Sequence, residues 1–389
     1  ESEPLYVMMD DTIIRKRGRH IPGTRWMRDP LGPAFHTNFV WGQRYLQISA
    51  ALPDCDTNGR SRGIPIGFWH APSVKKPRGD LNAKQQEHYR ELKKKTKVSA
   101  LGASKLGELH ERLPDKRIVC ATDGGFTNRA MLRNLPDNTV LIGRIRKDAR
   151  LSEVPDCAPG PGRRRFYGKD MPTPEEIRKD DTVPWQQVKA YAADKVHEFD
   201  VKVIPTVRWR VSGKKDLLLM IIRPLTYRPK KGGRLLYREP GYLICTDPDM
   251  PLEKILQAYL WRWEIELNFR DEKTVMGVGQ PQLRNENSVQ SAPAFQVASY
   301  SYLLLAATAK AVEESYLPSR KWYPKEPQDR CTTQRAQALF RSQYWKIPAL
   351  ANKTDFESSL GKARSLVYSS RTDKDAATML GSAVVYALK

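Results

Sequence analysis

Four residues at one spacing, Tyr259, Arg262, Glu266 and Lys273, carry most of the chemical potential of this chain of 389 residues. On a helix turning ~100° per residue they fall within an arc of roughly 60°. A carboxylate flanked on one face by a phenol, a guanidinium and an ammonium can hold a metal while its neighbours grip phosphate oxygens. The competing reading is an exposed helix face with an Arg262–Glu266 pair at i,i+4, in the weaker orientation of Arg before Glu. The remainder of the segment, Leu260, Trp261, Trp263, Ile265, Leu267 and Phe269, is apolar enough to be buried, and buried charges need a reason.

The spacing Y-(2)-R-(3)-E-(6)-K resembles the signature of DDE-type cut-and-paste transposases from bacterial insertion sequences, and all four positions match. The resemblance implies an α/β fold with an RNase H-like (retroviral integrase-like) catalytic core. It also implies two aspartates upstream, each ending an apolar strand. Leu5-Tyr-Val-Met-Met-Asp10-Asp11-Thr12 is one such segment. A short apolar run closed by an acid reads as a buried strand whose carboxyl end lies where open α/β sheets place their sites. The family's Asp-x-Thr selects Asp10, with Asp11 as second choice, because one residue of register swaps the carboxylate that faces the site. Taken alone, either Asp could simply close a turn.

The second segment is Arg117-Ile-Val-Cys-Ala-Thr-Asp123-Gly124-Gly125, in which the glycine pair permits a sharp turn. Thr127 or Asn128 is placed to cap a following helix. An Asp-Gly-Gly turn by itself is more often structural, but three acids in this order and spacing say more than any one of them.

By resemblance, Asp10, Asp123 and Glu266 are the catalytic metal ligands. Asp10 would bridge two Mg²⁺ ions, with Mn²⁺ as a substitute, and the other two acids would each complete one. Such a site cleaves a phosphodiester with water to free a 3′-OH and then directs that 3′-OH at another phosphodiester. Tyr259, Arg262 and Lys273 would hold DNA phosphates. The implied partners are double-stranded DNA, as terminal inverted repeats and target, and a second copy of the chain on paired ends. Two alternatives stand beside this reading: a two-metal nuclease or resolvase without strand transfer, and a domesticated DNA-binding protein without catalysis. The full set of acids with Tyr, Arg and Lys argues against the last.

Composition agrees with a polyanionic partner. Lys+Arg total 66 against 44 Asp+Glu, a formal charge of +22. Basic clusters recur at Arg15 to Arg19, Lys93 to Lys97, Arg163 to Arg165 and Arg228 to Arg234. A single run is usually a solvated face, so their number matters more than any one. Lys16 and Arg17 in the first cluster are candidate DNA contacts of a salt-sensitive, sequence-independent kind. Five widely spaced cysteines with no CxxC pair argue for reduced thiols and against structural zinc. No apolar run approaches a membrane span and no signal peptide is visible, so a cytoplasmic, nucleoid-associated protein is expected. The chain opens on Glu1 and reaches its first candidate acid at once, from which an upstream segment is expected; the resembling family carries a DNA-binding domain there.

Four regions are expected. Residues 1–150 form the first part of the core, with strands at 38–41, 45–48, 117–122 and 140–145 and one helix over 82–113. Residues 151–246, rich in Pro, Gly and Arg and then in alternating strands, form a β-rich insertion. Residues 247–316 form the second part of the core, and 317–389 a helical C-terminal region behind a Pro- and charge-rich linker. The last strand of the insertion, starting at Gly241, carries Tyr242. In hairpin-forming relatives an aromatic at that place stacks on a flipped base, a contact worth ~1–3 kcal/mol. The family's usual Trp is absent, and ordinary packing of a Tyr on a sheet face is the competing reading.

Overall fold

The structure is a computed structural model that describes residues 3–309, apart from short stretches near 30–37, 54–58, 73–78, 156–164, 194 and 229–231, together with 331–337 and 340. The expected C-terminal helical region lies almost wholly outside the described residues. The chain divides into two compact units, Glu1–Lys273 with Gly277–Val297, and Thr274–Met276 with Ala298–Lys389.

The fold is mixed α/β. In chain order its elements are β1 (Leu5–Arg15), β2 (Arg25–Arg28), β3 (Phe39–Pro53), β4 (Ser61–His70), α1 (Ala83–Lys95), α2 (Val98–Arg112), β5 (Ile118–Thr122), α3 (Arg129–Leu132) and β6 (Thr139–Arg144). There follow α4 (Pro174–Lys179), β7 (Gln186–Ala192), β8 (Lys195–Arg208), β9 (Asp216–Ile222), β10 (Thr226–Tyr227), β11 (Leu236–Tyr237), β12 (Gly241–Cys245), α5 (Leu252–Trp261), α6 (Trp263–Thr274) and α7 (Glu286–Ala309).

One sheet of ten strands runs β2-β3-β1-β5-β6-β12-β9-β8-β7, with β4 also on β3. β1, β5 and β6 are parallel, and all the other pairings in this sheet are antiparallel. The parallel strands are apolar throughout: Ile118 to Thr122 are all buried, as a strand covered on both faces must be. Alternation then sorts the core. Val7, Met9, Ile118 and Cys120 pack with Ala103 and Leu106 of α2 on one face. Val119, Val140 and Ile142 pack with Ile255, Leu256 and Ala258 of α5 on the other.

Several elements differ from the sequence expectation. The strands expected at 38–41 and 45–48 are one long strand, β3, whose partner β4 shifts register at a bulge between Ile48 and Ser49. The single helix expected over 82–113 is two, because the Thr96 hydroxyl donates back to Leu92 O and Lys97 turns extended (φ −62°, ψ 135°). Residues 186–245 do not stand apart from the core sheet: β12 pairs with β6, and β9, β8 and β7 continue outward from it. The composition explains this. Leu217 to Ile222 are six consecutive buried residues, which need cover on both sides. The β10–β11 pair alone forms a separate two-stranded sheet.

Lys202 on β8 is fully buried, and its ammonium donates to the carbonyls of Ile177 (3.2 Å), Arg178 (3.0 Å) and Asp180 (2.6 Å) at the end of α4, 4.7 Å from the Trp185 ring centre. It adds to the backbone bonds that Ile177 O and Asp180 O already accept from the Asp180 and Val183 N–H groups, and it caps the last turn with a cation. Lys202→Met, which fills the space but removes these three hydrogen bonds, is expected to cost about 1–3 kcal/mol in a denaturant titration.

Candidate functional site

Register brings the first two acids together. In the parallel β1–β5 pair, Met8 lies beside Ala121 and Met9 beside Thr122, so the next residues, Asp10 and Asp123, follow side by side where the pairing stops. Asp123 closes β5 as expected, but Asp10 does not end its strand, because β1 runs on to Arg15 against β3. Alternation puts both on the α5 side of the sheet, with Met8 and Ala121. Asp11 points the other way and pairs with Arg44 of β3 at 3.2 Å. The alternative left open between Asp10 and Asp11 thus has a geometric answer: Asp10 is the acid on the side of Glu266.

The turn after β5 fixes Asp123. Gly125 N–H donates to its Oδ1 at 2.8 Å, and the Thr127 hydroxyl donates to its carbonyl at 2.9 Å. Asn128 caps α3, accepting from the N–H groups of Ala130 and Met131.

The segment expected as one helix through 259–273 is two helices meeting at Arg262. There the hydrogen bonds tighten to i→i+3 spacing, Arg262 N–H to Tyr259 O and Ile265 N–H to Arg262 O. Arg262 reaches back to the sheet, 3.3 Å from Asp10 Oδ2 and 2.8 Å from Glu266 Oε1. Tyr259 is half-buried, with its ring centre 6.0 Å from the guanidinium carbon. Lys273, about two turns further along the same face of α6, donates from Nζ to Thr12 Oγ1 at 2.6 Å. Asp10, Asp123, Tyr259, Arg262 and Glu266 therefore gather in one place, and Lys273 stands beside it over β1.

Burial, the charge of Asp123 and the smaller effect of Asp11 raise the Asp10 carboxyl to about 7, against Arg262 and the Asp11 N–H, which lower it. A buried acid beside a second carboxylate calls for a positive charge, and carboxylate oxygens suit a hard divalent ion. The donor types therefore fit Mg²⁺ at Asp10, Asp123 and Glu266. As the side chains stand, with Arg262 between Asp10 and Glu266, no three acidic, His or Cys groups among the described residues are close enough together to hold an ion.

Other candidate contacts sit elsewhere. Tyr242 is only 4% exposed, packed in the core with its hydroxyl on Glu175 and its phenol pushed up to about 12 by burial and that carboxylate. Its ring offers no free face. Lys16 is buried and donates to the carbonyls of Gly279 (2.6 Å) and Pro281 (3.0 Å), tying the end of β1 to the loop after α6; Arg17 is exposed. No helix among the described residues is long and apolar enough to cross a membrane. Cys120 and Cys245 are free thiols buried in the core.

Several positioning residues were not singled out from sequence. Asn268 of α6, 2% exposed, lies with Oδ1 3.0 Å from the Ser49 hydroxyl and donates to Gly63 O at 3.0 Å, while Glu264 accepts from Gly63 N–H at 3.1 Å. Gly63 has no room for a side chain: a Cβ would lie 2.9 Å from that of Glu264. An Asn in mid-helix is a poor helix former, a signal that it has a partner elsewhere. Thr12 was legible by strand period, two residues beyond Asp10 on the same face.

Glu272 is buried against Gln47, and each has an Oε1 atom with no hydrogen-bond partner among the described residues. Burial raises its carboxyl to about 8, against the hydrogen bond with Gln47 and the charge of Lys273, which lower it, so the neutral form prevails at pH 7. No protein-family model matches the chain, and no curated protein is similar to it in sequence.

A carboxyl whose folded pKa lies above its unfolded value adds stability that is complete below the unfolded value and is lost as pH rises through the folded one. For Glu272 the window runs from 4.5 to about 8. The difference in unfolding free energy between the parent and Glu272→Gln is expected to shift against the parent by up to about 1.4 kcal/mol per pH unit across it. Paired urea titrations at pH 5, 6.5 and 8 measure this, and a constant difference would refute a neutral Glu272.

Proposed function

We propose that this chain is a DNA transposase of the DDE type, acting by phosphodiester cleavage and joining of the freed 3′-OH. The observation that carries the reading is the meeting of Asp10, Asp123 and Glu266 from three distant segments, with Arg262 bound to two of them. The strand order β4-β3-β1-β5-β6, with β1, β5 and β6 parallel and β3 reversed, supports an RNase H-like core. The charge of +22 supports a polyanionic substrate.

Asp10, Asp123 and Glu266 would hold two Mg²⁺ ions, which when bound stabilise the attacking and leaving oxygens of an in-line displacement. The chain's own groups do the rest. The Gly125 N–H keeps the Asp123 carboxylate aimed at Asp10. Arg262 neutralises the acids in the free protein and offers a bidentate fork to a phosphate that competes for it. Lys273 and the Tyr259 phenol extend the grip along the backbone. Activity in the bacterial cytoplasm on paired element ends, as a homodimer, belongs to the same proposal.

The test uses a supercoiled plasmid carrying the DNA that flanks the coding sequence, with Mg²⁺. Asp123→Ala and Glu266→Ala are expected to lower cleavage by at least ~10³-fold while DNA binding stays within a few-fold. Undiminished cleavage by both variants sinks the assignment. Joined products identify a transposase; nicked or linear products alone identify a nuclease or resolvase.

A further inference from the structure

On the face of the sheet opposite α6 lies a cleft of about 760 Å³, walled by β2, α1, the start of α2 and the turn after Asp123. Arg25, Arg44, Lys93 and Lys97 line it, and among the described residues no acidic one does. Arg44 is paired with Asp11, whereas Arg25, Lys93 and Lys97 have no ion pair among the described residues. The first turn of α2 opens into the cleft, and no side chain caps its N–H groups. Burial, then the like charge of Arg44, lowers the pKa of the Arg25 guanidinium. Convergent cations, free helix-terminal donors and an absence of acids make a site for anionic oxygens.

We propose that this cleft binds the phosphodiester backbone of a DNA strand, as a contact separate from Arg262 and Lys273 and on the other side of the sheet from them. The choice of DNA as the polyanion rests on the function proposed above. Gly125 and Asn128 line the cleft as well as flanking Asp123, so a strand held there passes within one turn of the acids without occupying their side of the sheet. Trp26, 65% exposed and edge-on to Trp41, also lines it.

The experiment measures affinity of the full chain for a blunt 30-bp duplex of arbitrary sequence (about 30 bp spans several phosphate contacts), without Mg²⁺, across a NaCl series. Removing one phosphate contact lowers the slope of log K against log salt by about 1. Arg25→Glu with Lys97→Glu should therefore lower it by about 2, with a matched reversal of Lys189 and Lys195 on the β7–β8 hairpin as control. Lys93→Ala with Lys97→Ala, at exposed positions on α1 and at the start of α2, should lower it in the same direction and guards against misfolding of the reversal. Slopes no lower than the control in both cleft variants overturn the proposal. A chain that binds DNA through this cleft but cleaves none would leave the inference standing and remove the transposase reading; cleavage with cleft-independent binding would do the reverse.

Discussion

Like charge on two adjacent parallel strands, at the point where their pairing stops, is the constraint around which the rest is arranged. Register sets Asp10 beside Asp123, and burial by the surrounding sheet and helices makes their joint ionisation costly. Arg262 is the internal answer, reaching from the junction of α5 and α6 to Asp10 and Glu266. The break in the helix is where that reach is made. A straight helix would carry the guanidinium along its own face; the tightened turn delivers it to the sheet.

The helix bearing Glu266 is set down on the sheet by polar contacts as much as by apolar ones. Ile265 and Phe269 are buried, but Glu264, Asn268, Glu272 and Lys273 each have a partner on β1, β3 or β4. Hydrogen bonds are directional, so such an interface fixes where the helix sits along its length, which an oily face alone does not. Gly63 lets the backbone of β4 approach closely enough for two of these contacts. The partners of α6 run from Gly63 on β4 through Ser49 and Gln47 on β3 to Thr12 on β1, a path across the sheet that ends beside Asp10.

Much of this arrangement was legible in the chain itself. The apolar run before Asp123 is a strand that stops at that acid, whereas the strand through Asp10 continues to Arg15 along β3. Asn128, one of two residues considered, caps the helix after Asp123. What sequence left open was orientation: Asp10 and Asp11 differ only in which face they take, and that depends on pairing with β3 and β5. The break at Arg262 has no Gly or Pro to announce it and coincides with an ion pair to Asp10, far off in the chain. Tyr242 and Lys16 show the same limit, since a Tyr at a strand start and a Lys in a basic run look available until distant Glu175 and Gly279 are seen to engage them. The continuity of 186–245 with the core sheet was hidden because alternation identifies strands and not their neighbours.

The partners of Arg262 and Asp10 are separated by 252 positions, and this has a consequence for synthesis on the ribosome. β1 and β5 can pair once residue 122 has emerged, placing two repelling acids together in a chain that does not yet contain their counter-charge. At the usual pace of translation, the stretch from Asp123 to Glu266 takes roughly 7 to 30 s. Throughout that interval the nascent sheet carries an acid pair without its internal cation, and only the arrival of α5 and α6 quenches it. The segment that supplies the counter-charge is made long after the first strands that need it, so a truncated product lacking α5 and α6 is unbalanced as well as incomplete.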